Sequence, residues 1–198
     1  MMNGEILSLA TLLIGAVLGF LTRVLYDKLK EPKLVVGKVT GPWYIENPQK
    51  VDLSVDLGNR RVSSKIEKYN AYRVRIYNKE KRILNTVALN CVVWLELEGQ
   101  EEPYQLCWVG QQDVVTINPG DYREADLCAR NIETGEIIAP TENGYFNPRP
   151  RFISDGSRTI RGKLRVTSEN SKKTEKIIII KPTGGNELDI QFKDTKNN

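Results

Sequence analysis

From Ile6 to Thr22 the chain runs seventeen positions without a charged side chain, and no polar stripe interrupts the run at helical spacing. Apolar residues resume past Arg23 at Val24, Leu25 and Tyr26. A helix needs roughly 17–25 such residues to cross a bilayer. The pattern therefore predicts a single N-terminal transmembrane helix in contact with the lipid bilayer over residues 6–26. A cleavable secretory signal fits less well. The leading Met-Met-Asn-Gly-Glu has no Lys or Arg, the apolar core is too long, and the exit Phe-Leu-Thr-Arg-Val-Leu-Tyr lacks small residues. Pro32 closes the helix or its extension.

Beyond Pro32 the period changes to two, the signature of half-buried strands. Residues 33–39 and 51–57 read as strands, the latter with Val51, Leu53, Val55 and Leu57 on one face. Residues 72–77 place Tyr72, Val74 and Ile76 inward and Arg73, Arg75 and Tyr77 outward. Residues 87–98 repeat the scheme with Val87, Leu89, Cys91, Val93, Leu95 and Leu97 on the buried side. Shorter strands are expected at 104–109, 113–117 and 122–129. A hairpin is expected from 159–167 and 174–181 around a polar turn at 168–173, and a last short strand at 188–192. The four isoleucines 177–180 put apolar groups on both faces, which favours an interior strand over an oligomer interface. Between 131 and 158 no strand is expected; a stretch of that length within a compact domain is usually functional or disordered.

These elements predict a mainly β chain: an anchor with its basic flank over 1–30, an antiparallel β-sandwich over 31–182, and a short strand with a frayed tail over 183–198. The segment Tyr72 to Leu97, strand, Asn-containing turn and strand, resembles the core of immunoglobulin-like bacterial and archaeal domains of the cell-adhesion-related type. It is also similar to membrane-anchored sandwich proteins of prokaryotes. The resemblance covers about 26 residues. Where those domains usually carry Gly after the turn Asn, this chain has Asn-Lys-Glu-Lys-Arg at 78–82. It implies an Ig-like fold and a non-catalytic role, and it carries over no site residue.

Charge gives the anchor a direction. No Lys or Arg precedes the apolar run, whereas Arg23, Lys28, Lys30, Lys33 and Lys38 follow it against Asp27 and Glu31. Basic flanks stay on the cytoplasmic side, so the expected orientation is N-terminus out with the sandwich in the cytoplasm; an extracytoplasmic domain of the same architecture is the alternative. Arg23, Lys28, Lys30 and Lys33 are the candidate membrane-surface cations. The net charge of +4 is largely this neck, which leaves no basic face for nucleic acid.

Candidate chemistry is sparse. The chain contains no His, the commonest general base and metal ligand. Cys91, Cys107 and Cys128 form no CxxC pair, so core packing is the expected use of these thiols, with no metal and no cofactor. A hydrolase or transferase working without His would have only Asp, Glu, Lys and Tyr to call on. Two features point to interactions instead. Gly15 and Gly19 have the small-xxx-small spacing that lets two membrane helices pair, giving a homodimer through the anchor. The 131–158 stretch reads first as a long crossover packed over the sandwich; the alternative makes it a partner-binding loop through Tyr145, Phe146, Arg149, Arg151 and Phe152, its Arg forks suited to an acidic partner surface or a lipid headgroup. The reading is a single-pass, membrane-anchored binding or scaffold module without a catalytic site.

Overall fold

The computed structural model describes residues 2–47, 51–56, 59–64, 66–81, 84–110, 113–140 and 151–195, with the side chains of 2–11, 51–56 and 59–64 excepted. Helix α1 spans Met2–Lys30 and ends two residues before Pro32. Among the described residues after it, the regular elements are all strands. β1 (Lys33–Asn47), β4 (Glu67–Lys79), β8 (Tyr122–Asn131), β9 (Ile137–Ala139) and β10 (Arg151–Ser154) form one sheet in that order. The second sheet runs β13 (Leu188–Asp194), β12 (Ser171–Pro182), β11 (Ile160–Ser168), β5 (Ala88–Leu97) and β6 (Tyr104–Leu106), with β7 (Val115–Ile117) also on β5. β2 (Val51–Asp56) and β3 (Asn59–Ser64) pair as a separate hairpin. All pairings are antiparallel.

The inward faces of the two sheets share one core, which makes the arrangement sandwich-like. Leu34 and Val36 of β1, Val74 and Ile76 of β4 and Leu127 of β8 belong to the same buried cluster as Val93 and Leu95 of β5, Leu164 of β11 and Ile178 and Ile180 of β12. Two buried polar groups tie the layers. The Tyr72 hydroxyl accepts the Leu188 N–H at 2.8 Å, and Trp108 donates its indole N–H to the Cys91 carbonyl at 3.0 Å. In the isoleucine run, Ile178 and Ile180 are buried, Ile179 is also buried, and Ile177 is exposed. β12 lies between β11 and β13, the interior position the run favours.

Several expectations need correction. The 87–98 strand does not alternate strictly: Ala88 is fully buried and Leu89 is exposed. The cause is a register shift between Ala88 and Cys91 together with Asn90 at φ 49°. A bulge of this kind leaves a residue unpaired and reverses the faces before it. The turn between β11 and β12 stabilises it: Asn170 accepts from Leu89 N–H and donates to the Val87 carbonyl, Glu169 N–H donates to the Leu89 carbonyl, and Asn90 donates to the Glu169 carboxylate. That turn is also shorter than 168–173, since β12 begins at Ser171. The 131–158 stretch contains two strands, β9 and β10, that extend the first sheet. β3 is a strand the sequence pattern did not predict. Arg73 and Arg75 are half-buried rather than free, held by Asp126 at 2.9 Å and Glu124 at 2.8 Å. Leu57, and the faces assigned to Val51, Leu53 and Val55, lie outside the described residues.

Candidate membrane and partner interfaces

α1 projects from the sheets. Every residue from Leu12 to Lys28 is exposed, on all sides of the helix. Leu12, Leu13, Ile14, Phe20 and Leu25 each keep 60–70% of their surface. A Cβ added at Gly15 or Gly19 would meet nothing within 4 Å, so this face is open. Among the described residues, no helix is long and apolar enough to cross a membrane. The segment Leu12–Lys30 contains Arg23, Asp27, Lys28 and Lys30, and the side chains of the run's first six residues, Ile6 to Thr11, lie outside the described set.

The base of the helix is fastened rather than loose. The last carbonyls of any helix lack intrahelical partners and carry partial negative charge. Lys81, from the β4–β5 connection, donates to the carbonyls of Lys28 at 3.5 Å, Leu29 at 3.3 Å and Glu31. The Glu31 carboxylate accepts the Lys172 N–H at the start of β12. Lys30 lies over the Tyr26 ring at 4.2 Å. Arg23, Lys28, Lys30 and Lys33 are all exposed. Lys81 was missed because helix-end carbonyls call for a cation from anywhere in the chain, and Lys172 because its contact is a backbone N–H to the Glu31 carboxylate; sequence distance reveals neither.

Of the loop residues, Tyr145, Phe146 and Arg149 lie outside the described residues. Arg151 and Phe152 open β10 and are exposed. The Arg151 guanidinium sits 5.5 Å from the centre of the Tyr104 ring, and the two border an open groove of about 640 Å³ with Gly99, Gln100, Glu101 and Glu102. A smaller cleft of about 250 Å³ adjoins it, with Arg158, Arg161 and Glu98. Three Arg and three Glu therefore face this region, which offsets the basic bias that the loop's own residues suggest.

The outer face of the first sheet is a surface the sequence pattern did not single out. Tyr77 and Tyr122 pack with ring centres 5.4 Å apart and the rings tilted by 44°, Arg75 lies 4.7 Å from the Tyr122 ring, and Arg73 lies 5.5 Å from Trp43. Trp43 and Tyr44, on the edge strand β1, are exposed. Burial pushes the Asp126 carboxyl up from its ordinary value, against the lowering influence of Arg73. The three cysteines are buried thiols. Burial pushes the Cys91 thiol up to about 11 and the Cys128 thiol up to about 12. Thiolate nucleophiles need the opposite shift. Among the described residues, no group of three or more His, Cys, Asp or Glu converges on a point that could hold a metal.

These features define a class: a two-layered antiparallel β protein with a projecting N-terminal helix. No family model, curated protein or solved structure matches the chain.

Proposed function

We propose that this chain is a single-pass, membrane-anchored binding or scaffold module, with α1 in the bilayer and an Ig-like sandwich in the cytoplasm. The observation that carries it is the exposure of every residue from Leu12 to Lys28. Leaving eight large apolar side chains at 55–70% exposure in water would forfeit on the order of 1.5–3 kcal/mol each relative to burial, and among the described residues no strand covers them. Lipid removes that cost. The apolar run Ile6–Thr22 supplies the length, and Arg23, Lys28, Lys30 and Lys33 supply the cytoplasmic flank.

Strand connectivity supports the Ig-like reading beyond the short resemblance. With β1, β4, β5, β6, β8, β11 and β12 taken as strands A, B, C, C′, E, F and G, one sheet has the order A-B-E and the other G-F-C-C′. β9 and β10 extend the first sheet and β13 the second. The exposed Arg151–Phe152 edge of the groove, and the Trp43–Arg73 face, have the aromatic and Arg composition in which binding energy concentrates. Pairing of two anchors through Gly15 and Gly19 would present these surfaces twice.

Alkaline-carbonate extraction tests the anchor. The wild type should stay with the membranes, and Ile14→Arg, at a cost of about 2.5–3.5 kcal/mol at a span's centre, should release much of it. A wild type found in the soluble fraction would end the reading. Protease digestion of sealed vesicles then separates a cytoplasmic from an extracytoplasmic domain. Pull-down from detergent with Arg151→Ala/Phe152→Ala, compared with wild type, reads the partner surface.

A further inference from the structure

We infer that the junction between α1 and the sheets is a second, domain-borne membrane contact: a lysine-lined cleft that takes the phosphate of an anionic phospholipid headgroup. The inference rests on the anchor reading, and it concerns residues far from the helix in sequence. The cleft, about 280 Å³, is lined by Lys33, Lys81, Lys172 and Lys173, with Pro32 and Leu34 beneath them. Its cations come from three separate segments: the start of β1, the β4–β5 connection and the start of β12.

Register adds a seventh lysine to the neck and cleft set. Lys33 and Lys79 are directly opposed on β1 and β4. Like charges in that position destabilise a ladder, and an anion between them reverses the sign. The three segments that meet at the helix exit, 27–33, 79–81 and 172–175, carry Lys28, Lys30, Lys33, Lys79, Lys81, Lys172 and Lys173 against Asp27, Glu31, Glu80 and Glu175. Glu175 is engaged by Lys173 at 3.2 Å, and Glu31 by the Lys172 N–H. Three positive charges remain in surplus. Lys81 acts as a positioning residue: by bonding the terminal carbonyls of α1, it keeps the negative end of the helix dipole from repelling an incoming phosphate.

Position selects the occupant. The cleft begins at Glu31, the residue directly after α1, so an anchored helix holds it at the level of the headgroups. A basic cluster there gains roughly fivefold per lysine from an anionic leaflet, and the effect fades within a Debye length.

Amine-reactive footprinting of the full chain in nanodiscs tests this. In discs of phosphatidylcholine with phosphatidylserine, labelling of Lys33, Lys79, Lys172 and Lys173 should fall at least about fivefold below that in pure phosphatidylcholine. Protection should be lost at about 1 M salt. Lys181, exposed at the far end of β12, should label equally in both. Inorganic phosphate without lipid should not protect; if it does so fully, the site takes free phosphate and the lipid assignment is wrong. Equal labelling in both discs overturns the inference while leaving the anchor intact. A chain that does not enter discs at all refutes the anchor instead. The variant Lys79→Gln/Lys172→Gln/Lys173→Gln should melt as wild type does and lose the composition dependence at Lys33. Retained dependence would also overturn the assignment.

Discussion

Leu95 and Leu89 sit six residues apart on one strand, a spacing at which strict alternation would bury both. The structure separates them. Leu95 has no exposed surface and is paired laterally with Leu164 and Tyr104, while Leu89 keeps 42% of its surface beyond the bulge at Asn90. Truncating Leu95 to Ala removes about three methylene equivalents at roughly 0.8 kcal/mol each. A cavity adds to this, since strands on both sides prevent collapse, giving about 3–4 kcal/mol within the range for Leu→Ala in cores. For a chain of this size, about 2–4 °C of Tm accompanies each kcal/mol, so the melt should fall by about 6–16 °C. Leu89→Ala should cost less than about 1 kcal/mol, as surface changes do. Urea titration of the reconstituted chain, followed by tryptophan fluorescence to which buried Trp108 contributes, measures both through the midpoint at constant slope. Equal losses for the two variants would refute the bulged register, and a Leu95→Ala melt within 2 °C of wild type would refute the assignment of this face to the core.

Further outcomes follow from individual contacts. Cys91 and Cys128 should resist a thiol reagent in the native state at neutral pH and react once urea unfolds the chain; native reactivity at either would contradict their burial. Their unfolded thiols ionise near 9.0 while the folded ones hold protons to about 11 and about 12. Above pH 9 the native state therefore keeps protons that the unfolded state has lost. Stability should fall as pH rises, by about 1.4 kcal/mol per pH unit for each thiol, so a midpoint that does not decline between pH 9 and 10.5 would count against the shifts. Gly156 has φ +78°, and a Cβ there would strike the Gly135 carbonyl. Gly156→Ala should therefore cost about 2 kcal/mol or more, and an unchanged denaturation midpoint would deny that close approach. Tyr72→Phe strips the Leu188 N–H of its acceptor and should cost about 1–3 kcal/mol; exchange protection of that amide, measured by NMR, should drop with it.

The sequence by itself determined the element types. Hydrophobic spacing is a local property, so the change from an uninterrupted apolar run to period-two alternation at Pro32 located α1 and most of the strands. It also assigned Val74, Ile76, Cys91, Val93 and Leu95 to the core correctly. The alternation failed where a distant segment bonds the backbone: Leu89 faces outward because Glu169 and Asn170 hold the bulge, and neither is near it in sequence. β9 and β10 escaped notice because strands of three or four residues carry too few periods to register and exist only through pairing with β8 and each other. The candidate surfaces divide in the same way. Arg23, Lys28, Lys30 and Lys33 were legible as a contiguous basic flank. Lys79, Lys81, Lys172 and Lys173 become their neighbours only when β4 pairs with β1 and the β11–β12 turn closes against Glu31, because convergence of charge from separate strands is decided by register and layer packing, not by order along the chain.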